Sequence, residues 1–340
     1  NKSSENRFIA KSDANFSIQD IPFHAAVKLD YLGGNFERNY YTTSQIKYGN
    51  IHVGLQPTYR LTKDDVTLDV GASLYFLNDT QFGKSKFFIY PNIKASYRIV
   101  NEILIAYAGI QGDLIQNSYS DFVQENPFMS PTLFITPTDQ KLNSFIGLKG
   151  KISSTMSYNI KGKYIAETNK ALIKNNEITA AGKTYMHGNS FAVVYDNVST
   201  INLSGEINAD VNRNFSLGMK LEYFAYQVDQ EKEAWNLPDF KGNLFVDYQI
   251  NKQWFAGANL IFVGQRKDAI YQPSLLLTTP RAVTLDSYFD ANANVGYHIN
   301  SRFSVYAKVN NIANKNYNRW QNYAVQGIQL LAGATYKFDF

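Results

Sequence analysis

The sequence has no cysteine, only 9 prolines and no long apolar run. Without cysteine the chain cannot rely on disulfides, which fits passage through an oxidising compartment but also fits many cytosolic proteins. A membrane-spanning helix needs about 20 mostly apolar residues, so this kind of span is excluded. A spanning β-barrel is not excluded by the mean hydropathy of −0.31, because half of the residues in each strand face a wet interior.

Charge is nearly balanced, with 33 Lys and Arg against 29 Asp and Glu and a net charge of +4. The basic residues are scattered through the chain and form no stripe that could follow a phosphate backbone, so nucleic acid is not a predicted partner. The sequence starts at Asn1 without a basic and apolar leader. We expect that a signal peptide was removed or that the sequence begins inside a longer chain.

Aromatic residues are abundant, with 24 Tyr and 23 Phe, and they mark the last stretch of the chain. Side chains alternate there between a mostly polar set and an apolar set, which comprises Ile328, Leu330, Ala332, Ala334, Tyr336, Phe338 and Phe340. Successive strand residues point to opposite faces, so this is a strand with one apolar face. An apolar stripe that ends in aromatics suits a membrane interface, and the alternative is a strand of a soluble β-sandwich.

The same alternation recurs upstream, and short turns alternate with long loops. Strands 51–61 and 66–76 form a predicted hairpin around Lys63 and Asp64. Long loops are predicted at residues 117–141, 167–188 and 266–285, where periodicity fails and most of the prolines lie. This asymmetry is typical of transmembrane barrels with short periplasmic turns and long extracellular loops.

We therefore predict an all-β fold, a transmembrane antiparallel β-barrel of about 16 strands. Residues 1–340 are predicted to form a single outer-membrane β-barrel domain without a plug, with both termini on the periplasmic side. The strand count requires residues 190–210 to be one long strand, and residues 40–48 are strand-like by β-propensity alone.

Aromatic residues at both ends of the apolar faces predict two membrane girdles. Phe215 and Tyr223 are eight positions apart, which spans roughly 20 Å of membrane height in a tilted strand. The predicted girdle residues are Phe215, Tyr223, Tyr248, Trp254, Tyr336, Phe338 and Phe340.

The last seventh of the chain resembles the carboxyl-terminal end of TonB-dependent receptors. The residues that carry this resemblance are Asn310, Asn311, Asn314, Tyr317, Trp320, Tyr323, Gly327, Gly333, Tyr336, Lys337 and Phe338. The resemblance implies solute uptake or capture at the outer membrane of a Gram-negative bacterium. It also implies membrane lipid, the barrel-assembly machinery during insertion and other outer-membrane proteins or lipoproteins as partners. A full receptor of this kind has about 22 strands and an amino-terminal plug, for which this sequence has no room.

Charged residues on the polar sides of the strands are the candidate ligand contacts. Basic groups concentrate between residues 87 and 164, and the selected candidates are Lys94, Arg98, Lys149, Lys161, Lys163, Asp290 and His298. In an open barrel these groups would line the pore, whereas in a closed one they would pair with each other or with a plug. The loops 117–141 and 266–285 can fold inward as a constriction or outward as a binding surface.

No motif predicts catalysis, a cofactor or a metal. The four histidines, His24, His52, His187 and His298, lie far apart without metal-ligand spacing, and no serine has a nucleophile-elbow motif. The acidic loop 229–233 is interpreted as solvated. Three functions stay open: a transport barrel, a structural subunit of an outer-membrane complex with a closed interior, and an enzyme at the barrel rim.

Overall fold

The computed structural model describes residues 3–18, 21–178, 184–271 and 280–338. Fifteen strands form one antiparallel sheet, in which each strand pairs with the next sheet strand along the chain. They are β1 (Ser3–Ile18), β2 (Ile21–Phe36), β3 (Ile46–Lys63), β4 (Val66–Asp79), β5 (Lys84–Val100), β6 (Leu104–Ile115), β7 (Thr138–Ser153), β8 (Met156–Asn175), β9 (Phe191–Asn212), β10 (Phe215–Val228), β11 (Phe240–Gln249), β12 (Trp254–Val263), β15 (Tyr288–His298), β16 (Phe303–Asn310) and β19 (Gln329–Tyr336).

The remaining elements lie in the loops between the sheet strands. They are the helix α1 (Tyr119–Glu125), a 3-10 turn (Thr184–Met186), and two small hairpins, β13 (Arg266–Ile270) with β14 (Arg281–Leu285) and β17 (Asn318–Trp320) with β18 (Tyr323–Ala324). No helix in the described part of the chain is long and apolar enough to cross a membrane.

Burial along the strands is inverted relative to a soluble protein. On β9, Ile201 and Leu203 are 51% and 56% exposed, whereas Asn202 between them is 1% exposed. On β3, Val53 is 42% exposed and His52 is fully buried. An apolar face turned outward and a polar face turned inward is the pattern of a sheet surrounded by lipid.

The connections at one end of the sheet are all short, whereas every long connection lies at the other end. Asp64 and Asn101 in the short turns have φ of 50° and 41°, a conformation that Asp and Asn tolerate better than most residues. The long connections 116–137, 176–190, 264–287 and 311–328 all leave the opposite end, which we call the loop end. This distribution confirms the predicted asymmetry.

The predicted single strand over residues 190–210 is confirmed by β9. The expectation that both termini lie on the same side is wrong, because the described sheet has an odd number of strands. Ser3 pairs with Phe36 at the loop end, whereas β19 finishes beside Phe303 at the turn end.

Three loop boundaries differ from those predicted. Residues 40–45 are not a strand, because the side chain of Asn39 accepts hydrogen bonds from the backbone N–H groups of Tyr41 and Thr42 and forms a turn. The second loop starts after Asn175, since β8 continues to pair with β9 beyond the apolar band. The third loop carries the β13–β14 hairpin, whose intervening residues 272–279 are outside the described part.

The first loop also differs from its predicted bounds. Residues 138–141 belong to β7, and residues 119–125 form α1. Ser118 starts this helix as its N-cap, because its Oγ accepts a hydrogen bond from the N–H of Asp121. The seven residues of α1 make about two helical turns, which is too short for a helical periodicity to be recognised in the sequence.

Aromatic rings on the polar face lie across glycines of the neighbouring strand. Tyr75 covers Gly54, Tyr107 covers Gly147, and Tyr306 covers Gly333. A Cβ atom at Gly147 would lie 2.5 Å from Cζ of Tyr107 and 2.6 Å from the carbonyl oxygen of Ile160. These glycines are therefore needed for the close approach of a ring to the backbone.

We predict that Gly147→Ala destabilises the sheet by roughly 1 to 3 kcal/mol, because the added methyl group overpacks the contact with Tyr107. Gly205→Ala is the matched control, since nothing lies within 4 Å of a Cβ atom at Gly205 in β9. Urea unfolding of the two variants in detergent measures the difference. Equal stability would contradict this interpretation of the ring contacts.

Candidate functional site

Three regions of the polar face are candidates for function. The loop cap consists of the segment 116–137, the β13–β14 hairpin and the segment 311–328. The lysine patch consists of Lys94, Lys149, Lys161 and Lys163. The asparagine groove consists of Asn259, Asn292, Asn294 and Asn310.

The segment 116–137 folds inward and docks on the first strand. The carboxylate of Glu5 on β1 accepts hydrogen bonds from the N–H groups of Tyr119 (2.7 Å) and Ser120 (3.0 Å) at the start of α1. Its Oε2 atom also accepts a hydrogen bond from the hydroxyl of Tyr48 (2.7 Å). A carboxylate at the start of a helix meets N–H groups that have no partner inside the helix, so Glu5 holds α1 on the sheet.

A second ionic link joins α1 to the sheet. Arg7 forms ion pairs with Asp121 of α1 (3.0 Å) and with the buried Asp30 of β2 (2.9 Å), and Lys28 also contacts Asp30 (3.1 Å). The connection between β6 and β7 thus reaches strands β1 and β2. The sequence left open whether this loop folds inward or outward, and these contacts show that it folds inward.

A hydrophobic core lies beneath the loop cap. Phe122 of α1 and Met129 are 6% and 5% exposed, and they belong to one cluster with Phe36, Phe191 and Trp320. The ring of Phe128 stacks on Tyr323, with 3.4 Å between ring centroids. Loops that are far apart in sequence therefore share one core, which is organised like that of a soluble domain.

The β13–β14 hairpin connects the end of β8 to the last long loop. Asp268 is fully buried, and its Oδ1 atom accepts hydrogen bonds from the N–H groups of Asn175 (2.9 Å) and Ala269 (2.8 Å). Arg266 donates to the carbonyl oxygens of Arg319 and Asn318, both at 2.9 Å. Burial raises the pKa of the Asp268 carboxyl above its ordinary value.

The acidic loop 229–233 is anchored more firmly than a solvated loop. Asp196 accepts hydrogen bonds from the N–H groups of Gln230 and Glu231. Glu231 forms an ion pair with Lys174 (2.8 Å) and accepts a hydrogen bond from the indole of Trp235 (2.7 Å). Among the described residues, no three His, Cys, Asp or Glu side chains come together as a metal site would require.

The lysine patch spans β5, β7 and β8 and brings together four of the predicted ligand residues. Lys161 lies over Phe145, with 4.5 Å from Nζ to the ring centroid, and Lys149 lies 5.5 Å from the centroid of Tyr107. The charges of Lys163, Lys94 and Lys220 act on Lys161. In the described part of the chain, none of the four lysines has a carboxylate oxygen within 4 Å of its ammonium group. Cation–π contacts stabilise these positive charges only in part.

The other three predicted ligand residues lie elsewhere. Arg98 is half-exposed in an ion pair with Asp65 at the turn end (3.7 Å). The His298 ring packs on Phe255, with 4.9 Å between centroids, also at the turn end. Asp290 lies on β15 next to Tyr317 and has one buried oxygen without a hydrogen-bond donor among the described residues. The seven predicted residues thus do not form one site.

Most of the predicted girdle residues form aromatic contacts on the apolar face. Phe215 packs on Tyr248, Trp254 on Tyr297, and Tyr336 on Phe338, all near the turn end. Tyr223 is 49% exposed nearer to the loop end. Phe340 lies outside the described residues.

Sequence reasoning missed the residues that hold the loop cap. No local pattern links Glu5 or Arg7 to a helix more than a hundred positions away, and Asp268 lies in a stretch without periodicity. The asparagine groove could be recognised in part from the sequence, since Asp290, Asn292 and Asn294 alternate with apolar residues on β15. Alternation alone does not show whether such polar residues bind a ligand or only water.

Solved outer-membrane receptors have the same fold. The pyoverdine receptor FpvA of Pseudomonas aeruginosa PAO1 aligns with 99% of this chain and 53% of its own length, at a TM-score of 0.67 and 15% identity. The ferric-catecholate import receptor Fiu of Escherichia coli K12 aligns with 99% and 55%, at a TM-score of 0.65 and 12% identity. The siderophore receptor PirA of Acinetobacter baumannii aligns with 99% and 55%, at a TM-score of 0.66 and 14% identity.

These likenesses establish the fold, which is that of the outer-membrane receptor barrels. The predicted all-β antiparallel fold and its resemblance to TonB-dependent receptor barrels are confirmed at this level. The chain spans about half the length of the receptors that it matches. No protein-family model and no curated protein matches the sequence.

We predict that Glu5→Gln loosens α1, because an uncharged amide interacts less favourably with the helix start than a carboxylate does. The cysteine-free chain allows a single reporter, Val123→Cys, at a half-buried position on α1. Maleimide labelling of this cysteine should become about tenfold faster, which corresponds to roughly 1.4 kcal/mol. Glu125→Gln on the same helix is the control, and equal acceleration by both would show that Glu5 does not hold the helix.

We predict that Asp268→Asn removes a pH dependence of the loop cap. Because the pKa of Asp268 is raised in the folded protein, the folded state binds this proton more tightly than the opened hairpin does. The hairpin is therefore most stable below the ordinary pKa of an Asp carboxyl, and it loses stability as the pH rises from there through the raised pKa of Asp268. Asparagine keeps the Oδ1 acceptor and carries no charge.

Hydrogen exchange of the Asn175 amide, which donates to Asp268, measures this effect. After correction for intrinsic exchange, protection in the unmodified protein should fall between acidic and neutral pH, and it should stay constant in Asp268→Asn. Parallel pH profiles in both proteins would show that another group carries the dependence.

Proposed function

We propose that this chain is the barrel wall of a receptor in the outer membrane of a Gram-negative bacterium, and that it captures a solute for uptake. The lysine patch carries this proposal. Four ammonium groups, none of which has a carboxylate oxygen within 4 Å among the described residues, lie on the polar face of a receptor fold, and they favour an anionic ligand or an anionic part of one. The solved receptors of this fold bind pyoverdine or import ferric catecholate, and their functions motivate the proposal.

The loop cap fits the same function. The segments 116–137 and 311–328 share a core, and Arg266 joins the β13–β14 hairpin to the segment 311–328. A solute entering from the loop end would therefore meet the loop cap first. The apolar face, with its exposed Ile, Leu and Val side chains, would contact lipid. The barrel-assembly machinery and other outer-membrane proteins remain predicted partners, and residues 1–340 remain predicted to be one barrel domain. We assign no catalytic role to this chain.

A second candidate is a structural subunit with a closed interior. The inward-folded segment 116–137, fixed by Glu5 and Arg7, favours it because an immobile cap would block passage. Current through a planar bilayer separates the two functions. The protein measured carries both Glu5→Gln and Val123→Cys. If the chain is a receptor whose loop cap opens, this protein gives channel openings, whereas a structural subunit with a closed interior gives no current.

We predict that Lys94→Glu combined with Lys161→Glu shifts ion selectivity toward cations, because two fixed charges on the pore wall are reversed. The ratio of chloride to potassium permeability, taken from the reversal potential in a salt gradient, should fall by about threefold or more. Lys252→Glu, in the exposed turn between β11 and β12, is the matched control. Unchanged selectivity in the double variant would discard the lysine patch as a pore-lining site.

A further inference from the structure

We propose that the asparagine groove is a second binding surface, which takes a neutral, hydroxyl-rich ligand of the oligosaccharide class. The groove is an open depression of about 440 Å³ on the polar face of β11, β12, β15 and β16. Pockets for small ligands start near 300 Å³, so the space suffices for one or two sugar rings. The inference rests on the proposed function in one respect, since a solute must reach the polar face.

The pairing register places the groove residues in two adjacent rows. One row runs from Phe245 to Asn259 and Asn292. The next row runs from Asp247 through Gly257 to Asn294 and Lys308. The amides therefore come from different strands but lie side by side, about 5 Å apart between strands and about 7 Å apart along a strand.

The groove amides keep unused hydrogen-bonding groups. Among the described residues, the side chains of Asn294 and Asn310 make no hydrogen bond within the protein. Asn292 uses only its Oδ1 atom, which accepts a hydrogen bond from the N–H of Asn311 (3.2 Å), and Asn259 uses its Oδ1 atom for Asn243 (3.3 Å). Each primary amide offers two donors and one acceptor oxygen. Such a set matches neighbouring hydroxyl groups, which are also donors and acceptors.

Flat aromatic surfaces border these amides. Phe245 covers Gly218 and Tyr306 covers Gly333, so each ring lies against the backbone and turns its other side to the interior. Phe245, which lines the groove, is 38% exposed, and Tyr306, one row beyond Lys308 on β16, is 43% exposed. The C–H side of a pyranose ring packs on such a surface while its hydroxyl groups bond to amides.

Charge distinguishes this groove from the lysine patch. Its charged residues are Asp247 and Lys308, of opposite sign in one row, so the groove has no net charge. Each of β11, β12, β15 and β16 is paired on both sides, so no free strand edge is available to an extended peptide. Recognition depends on side-chain amides and rings, and this combination favours sugar over peptide.

The test uses the full chain in nanodiscs, since sugar-based detergents would compete. Saturation-transfer NMR and calorimetry with a panel of neutral hexasaccharides of glucose, galactose and mannose measure binding. We expect at least one to bind, and Asn294→Ala with Asn310→Ala to weaken it about tenfold or more. Asn294→Asp, of equal size, should also weaken it while retaining the fold. Asn15→Ala, on the polar face of β1, is the matched control and should leave binding unchanged.

Failure of this inference differs from failure of the proposed function. Failure of every neutral hexasaccharide to bind overturns the groove, whatever the bilayer currents show. Binding that withstands both asparagine variants but is lost in Lys161→Gln places the ligand at the lysine patch and also overturns it. Binding to the groove in a protein that never conducts supports the groove and counts against uptake.

Discussion

The structure depends on a reversal of burial across one sheet, with apolar side chains outward and polar side chains inward. Lipid would accommodate Ile201 and Leu203, but it could not pair with Asn202, whose amide donates a hydrogen bond to the carbonyl oxygen of Tyr223 on the neighbouring strand. Backbone groups inside a membrane have to be paired within the protein, which antiparallel pairing of neighbouring strands provides. The polar side chains then need partners on the inner face, and their arrangement there determines what the protein can bind.

Two arrangements recur along the inner face of the sheet, and the first supplies such partners. Tyrosine hydroxyls donate to carboxylates across strands, as Tyr75 does to Asp113 (2.5 Å) and Tyr90 to Asp139 (2.7 Å). Rings placed over glycines let aromatic side chains lie flat on a face that must stay close to water. At the loop end, where no lipid surrounds the chain, Phe122, Met129 and Trp320 build a core with ordinary inward burial.

Strand alternation could be predicted from the sequence because lipid imposes a period of two on each spanning segment. The strands with Ile51, Ile201 and Phe289 were recognisable for this reason, and β9 was found as one strand. Outside the apolar band this constraint ends, so the extension of β8 to Asn175 and the β13–β14 hairpin left no periodic trace. Contacts such as Glu5 with Tyr119 depend on the curvature of the whole sheet, which no local pattern encodes.

The lysine patch differs from other charged groups on the polar face, several of which form ion pairs. Arg7 and Lys28 share Asp30, Arg60 holds Asp69 through two hydrogen bonds, and Lys220 pairs with Glu222. Pairing of this kind offsets the cost of removing charges from bulk water. On β5, β7 and β8, four ammonium groups lie together and, among the described residues, none of them has a carboxylate oxygen within 4 Å. Such an arrangement is expected where a ligand supplies the missing charge, and this favours a functional origin of the patch over a hydrated wall.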